Sequence, residues 1–160
     1  MSNSKANTTT EWVTSPSNSL LSRRDRNIYN MGKEKGAQEL LDKFDKVYQQ
    51  NLSKSYLDTS KILNKIKEKE LEILSARLKV LHPNSLKVAI SIKETQDISD
   101  KLTEIYDFIY ELEEKQNDDN YNVDYSIIKA NAHFDDSVVE NDGYIYKHLL
   151  FLNEERTRKS

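Results

Sequence analysis

The sequence predicts an all-α protein: an elongated antiparallel helical hairpin of coiled-coil type, with a disordered N-terminal tail and a short, partly ordered C-terminal segment. Three observations carry that prediction. The chain of 160 residues holds only 3 glycines and 2 prolines, against usual frequencies of ~7% and ~5%, and long helices need few turns. Apolar residues recur every three or four positions through much of residues 37–112, the spacing of one helix face. Inside that stretch stands one proline, Pro83, where the chain either reverses or kinks.

Residues 1–32 read as a disordered tail. The first 22 are rich in Ser, Thr and Asn and contain Pro16, a composition that buries too little to offset the entropy of ordering. Trp12-Val13 and Leu20-Leu21 are its apolar points, and Ser15-Pro16 is a candidate site for proline-directed phosphorylation. Ser22 to Arg26, "SRRDR", is the densest basic spot. Gly32 and Gly36 bracket a helix entrance.

Residues 33–116 read as the helical hairpin. In the first arm Leu40, Leu41, Phe44, Val47 and Tyr48 mark a helix face. The pattern thins to Leu52, Tyr56 and Leu57, returns with Leu63 and Ile66, and becomes a seam at Leu71, Leu74, Leu78 and Leu81, spaced 3-4-3. Pro83 lacks an amide hydrogen and pushes His82 out of the helical region. Asn84 and Ser85 follow as helix N-caps, so "HPNS" reads as an end, a turn and a new start. Leu86, Val88, Ile90 and Ile92 alternate with Lys87, Ala89 and Ser91 at the period of a strand. The segment is nevertheless assigned to helix, because it runs without a breaker into Ile98, Leu102, Ile105, Ile109 and Leu112, spaced 4-3-4-3. Tyr106, Phe108 and Tyr110 widen that face. The arms are unequal, so residues 33–50 of the first overshoot the second and leave an apolar stripe around Phe44 for something else to cover.

Residues 117–160 read as an acidic linker and a C-terminal docking segment. Tyr121, Val123, Tyr125 and Ile127 alternate, and Asn141-Asp142-Gly143 separates two β-prone runs as a hairpin turn would. A short amphipathic helix from Tyr144, with Ile145, Leu149 and Leu152 on one face, is the competing reading.

Composition narrows the function. The net charge is −3, and neutralising nucleic-acid phosphates calls for a basic field. No cysteine is present, which removes disulfides, thiolate catalysis and cysteine-ligated zinc. No apolar run approaches the ~20 residues of a membrane span, and the first residues lack a secretory h-region; a cytoplasmic or nuclear protein is the expectation. His82, His133 and His148 share no motif. The "HFDD" at His133 to Asp136 has no second histidine at ligand spacing. The acidic run from Asp118 to Asp124 resembles a calcium loop, but Lys129 stands where the final glutamate belongs. No enzyme activity and no cofactor are expected.

The sequence therefore predicts a non-catalytic structural or adaptor subunit that zips into a hetero-oligomer with other helical chains, as in vesicle-trafficking, kinetochore or transcription assemblies. A homodimer is the lesser variant. Its partner interface would comprise Leu40, Phe44, Val47, Leu71, Leu74, Leu78, Leu81, Ile98, Leu102, Ile105, Ile109 and Leu112. The alternative is a peripheral membrane- or nucleic-acid-associated regulator using the basic clusters at 22–26 and 156–159.

Overall fold

The computed structural model describes residues 12–14 and 35–148, the side chains of 35–38, 40 and 41 excepted. Its elements are β1 (Val13–Thr14), α1 (Lys35–Glu68), β2 (Ile73–His82), β3 (Ser85–Lys93), α2 (Ile98–Gln116), β4 (Asn122–Ala130), α3 (Asp136–Asn141) and β5 (Tyr146–Lys147). The strands form one mixed sheet in the order β1-β5-β2-β3-β4. The all-α expectation is thereby overturned, and with it the coiled-coil hairpin over 33–116: one long helix of 34 residues and a shorter one of 19 are separated by a β-hairpin.

Pro83 does reverse the chain, between strands rather than helices. β2 and β3 pair antiparallel, with His82 opposite Ser85 across the two-residue turn Pro83-Asn84. Favoured two-residue hairpin turns need positive φ, which proline cannot adopt, and neither turn residue has it. The register slips instead between Val80 and His82, so Leu81 bulges out. A second slip lies between Ile73 and Ser75. β3 then connects to the parallel strand β4 through α2, the crossover that parallel neighbours require.

α1 and α2 lie side by side and antiparallel on one face of the sheet. Lys69 Nζ meets Glu104 Oε2 at 2.7 Å, Lys65 sits over the Phe108 ring, and Lys54 donates to the Gln116 carbonyl at 3.2 Å. Between helices and sheet lies the core. α1 contributes Leu52, Tyr56, Ile62, Leu63 and Ile66; α2 contributes Ile98, Leu102, Ile105, Ile109 and Leu112. The sheet answers with Ile73, Ala76, Leu78, Leu86, Val88, Ile90, Ile92, Val123 and Tyr125. In register terms Leu78 stands opposite Val88, and Val88 beside Tyr125, so one row of side chains runs across three strands.

α1 ends by a Schellman arrangement. The Leu71 amide donates to the Ile66 carbonyl at 3.4 Å and the Glu70 amide to the Lys67 carbonyl at 2.9 Å. Glu70 takes the left-handed conformation, φ 60°, that this motif needs one residue past the cap. Leu71 and Ile66, both buried, make the accompanying apolar contact.

Val13–Thr14 belong to the sheet rather than to a tail, Val13 pairing with Lys147 and Thr14 with Tyr146, and Trp12 before them lies in the core. The alternating Tyr121–Ile127 run forms β4. Asn141-Asp142-Gly143 closes no hairpin, since α3 precedes it and no strand pairs across it. Gly143 does turn the chain, at φ 104°, with Lys79 packed where a Cβ would point. The proposed helix from Tyr144 is replaced by β5 as far as Lys147.

Candidate functional site

The thin apolar pattern in the middle of α1 has a structural reason. Its buried face there carries Asn51, Ser55, Asp58 and Thr59, and three of these hold other parts of the chain. Asn51 Nδ2 donates to the Pro83 carbonyl at 2.9 Å and the Asn120 carbonyl at 2.8 Å, latching the hairpin tip and the α2–β4 loop to one side chain. Asp58 Oδ2 accepts from Tyr121 Oη at 2.9 Å. Burial, then the neighbouring Tyr125 and the Asp58 charge, push the Tyr121 phenol well above its ordinary pKa, so it remains the donor. Ser55 Oγ donates to the Leu52 carbonyl and accepts from the Trp12 indole at 3.1 Å.

These latches fix the hairpin tip against α1 and leave the start of α1 projecting beyond the sheet. At ~1.5 Å per residue its 34 residues span roughly 50 Å, against ~33 Å for the ten residues of β2. Residues 42–46 are exposed and Val47 and Tyr48 half-buried. Phe44 is 41% exposed; its ring meets His82 of the hairpin tip edge-on, at 6.1 Å between centroids. Leu81, pushed outward by the bulge, is 47% exposed. Projecting helix and hairpin tip thus present an aromatic and an aliphatic side chain at one end of the sheet.

The opposite sheet face carries Ser75, Arg77 and Lys79 of β2 in register with Ser91, Ala89 and Lys87 of β3. α3 crosses it. Arg77 is buried there: its Nε and Nη2 reach Asp136 Oδ2 at 2.9 and 2.7 Å, and Nη1 donates to the Tyr144 carbonyl at 3.3 Å. Burial alone would raise the Asp136 carboxyl, but the hydrogen bond and charge of Arg77 prevail and hold it below the ordinary aspartate value. Beside α3 lies an open cleft of about 510 Å³, with Ala89, Ser126 and Ile128 on the sheet side and Val138, Val139 and Tyr144 opposite.

The structure disperses the predicted interface. Leu71, Leu78, Ile98, Leu102, Ile105, Ile109 and Leu112 are buried in the chain's own core, and Leu74 is half-buried. A 3-4-3 spacing lies on one side of a helix, whereas in β2 Leu78 faces the helices and the bulge after Val80 turns Leu81 out. Of that set Phe44 and Leu81 are exposed and Val47, like Leu74, is half-buried; the side chain of Leu40 is outside the described residues, as are Ser15 and the basic clusters at 22–26 and 156–159. The acidic run is a turn in which Asp118 Oδ1 accepts from the Asn120 and Tyr121 amides. Among the described residues no three His, Asp or Glu side chains gather as metal ligands, and no helix is long and apolar enough to cross a membrane. What sequence reasoning missed is Asn51, Ser55 and Asp58; their one signal is that they recur at helical spacing within the apolar stripe.

No protein-family model, curated protein or solved structure matches this chain.

Proposed function

We propose that this protein is a non-catalytic interaction module, an adaptor subunit whose partner-binding surface is the projecting start of α1 together with the hairpin tip. The observation that carries the reading is Phe44. A large aromatic side chain, 41% exposed, stands on a helical segment that has run past the core that covers the rest of α1. Exposed apolar area of this kind contributes roughly 25 cal/mol per Å2 once a partner removes it from water, and aromatic anchors dominate interface energetics. Leu81 adds a second apolar contact. Asp42, Lys43, Asp45 and Lys46 surround Phe44 with both signs of charge, which favours one partner register over others. The partner is another protein chain that lays an apolar helix or groove across this end.

The test is co-purification of tagged full-length protein from its native cells, quantified by mass spectrometry. Phe44→Asp is compared with Leu57→Asp, a control on the same helix where the leucine is 55% exposed. At least one protein should be recovered equally with the wild type and the Leu57 variant and be depleted more than about tenfold with Phe44→Asp. A set of co-purifying proteins unchanged by Phe44→Asp removes the proposal.

A further inference from the structure

The free edge of β4 is closed along one half and open along the other. Asn122, Asp124, Ser126, Ile128 and Ala130 turn their backbone groups toward β3, as the Asn122 amide to the Asn84 carbonyl and the Glu94 amide to the Ala130 carbonyl mark at the two ends. The odd-numbered residues therefore point theirs away from the sheet. Val123 is closed by the Asn117 side chain, whose Nδ2 donates to its carbonyl and whose Oδ1 accepts from its amide, both at 3.2 Å. The Tyr125 amide donates to Glu113 Oε2 at 3.3 Å. Beyond that point the amides and carbonyls of Ile127 and Lys129 have no hydrogen-bond partner among the described residues. An unpaired strand edge is a template for another strand, and here the template is five residues long, Tyr125–Lys129.

Charge selects what fits it. The closed half is acidic: burial and the Asp124 charge both raise the Glu113 carboxyl, against the lowering effect of the Tyr125 amide. The open half carries one cation, exposed Lys129. Its side chain shares the sheet face on which α2, and so Glu113, lies. An antiparallel copy of the same strand, related by a two-fold axis through Ile127, places Lys129 of each chain opposite Tyr125 of the other and beside its Glu113. The axes through the other two outward-pointing residues of this stretch do worse. One through Lys129 sets two lysines face to face, which destabilises; one through Tyr125 needs the amide and carbonyl that Asn117 already holds.

We propose that two copies of this chain pair through Tyr125–Lys129 of β4, antiparallel about Ile127, joining two sheets into one. Ile127 exchanges both backbone hydrogen bonds with its counterpart. Glu113 leaves the Tyr125 amide for the Lys129 ammonium of the second copy, and the freed amide donates to that copy's Lys129 carbonyl. The symmetry makes each contact twice. Five paired residues bury less than a standard interface, so the dimer is concentration-dependent, half-formed on the order of tens of micromolar.

Sedimentation equilibrium of the full chain tests this. The mass should rise from 18.7 kDa toward twice that value as concentration increases from about 1 to about 500 µM. Lys129→Glu and Glu113→Lys should each weaken association at least tenfold, and the double variant should recover it to within about threefold. Lys129→Pro removes an amide that bonds no group among the described residues and should abolish association whatever the charges. Because the Phe44 surface lies elsewhere, Phe44→Asp should leave this equilibrium unchanged. A monomer across the whole range, or a dimer that ignores Lys129→Glu and Lys129→Pro, overturns the proposal.

Discussion

His148 ties chemistry to stability at a single residue. It is fully buried, stacked on Tyr56 at 4.1 Å and edge-on to Trp12 at 5.3 Å. Ser60 Oγ donates to the Tyr56 carbonyl and lies 3.0 Å from His148 Nε2, so the ring proton sits on Nε2. Burial pushes the His148 pKa down from 6.5 to about 4. Below the unfolded value the unfolded chain takes up a proton that the folded one refuses, so stability should fall as pH drops from 6.5 toward 4 and level off below. The full effect is about 3 kcal/mol. Urea denaturation at pH 7 and pH 4.5 measures it, and His148→Phe should remove most of the slope. Glu70 gives the opposite kind of prediction. A glutamate at φ 60° carries a strain that glycine does not, so Glu70→Gly should stabilise the protein by about 0.5–1 kcal/mol, visible as a higher urea midpoint with unchanged slope.

At the scale of elements, the sequence made α2 legible and β2 illegible for the same reason. Ile98, Leu102, Ile105, Ile109 and Leu112 are all buried on one helix face, as their 4-3-4-3 spacing implies. In β2 the core positions are Ile73, Ala76, Leu78 and Val80; the bulge after Ile73 breaks the period of two there, and the bulge before His82 ejects Leu81. The leucines that remain then imitate a heptad. β3 did show its period from Leu86 to Ile92, and the absence of a breaker before Ile98 wrongly outweighed it. A scarcity of glycine and proline is a weak guide to helix when a hairpin closes on Pro83-Asn84 without glycine. The distinction is measurable: Leu78→Ala should cost about 2–5 kcal/mol in urea unfolding and Leu81→Ala within about 0.5, whereas one shared seam would make the two alike.

For the whole molecule, the sequence anticipated the overhang of the first helix near Phe44 but not what it hangs over. The apolar stripe was expected to pack on a second helix after Pro83; in the structure that cover comes from a sheet whose strands are shorter than α1. The helices do end up antiparallel neighbours, because a crossover connection returns α2 beside α1. Of the predicted interface residues, Phe44, Val47 and Leu81 stay exposed or partly so, while the buried leucines and isoleucines serve the protein's own core. Asn51 and Asp58 were hidden because a polar residue inside an apolar stripe reads as a gap until its partners, 32 and 63 residues away, are in place.

The corner where Trp12 meets His148 also sets an order of events. β2 and β3 are joined by two residues, and β3 and β4 by one helix, but Val13 and Lys147 lie at nearly opposite ends of the described chain. Closing so long a loop costs entropy that only the finished body can repay, so this corner closes last and opens first. Trp12 is the sole tryptophan, which makes its emission a private clock for that closure. In a denaturant titration the fluorescence midpoint should come at a lower urea concentration than the circular dichroism midpoint, and in refolding the fluorescence should lag. Coincident curves would mean that a two-residue strand and one indole are welded into the same cooperative unit as the sheet.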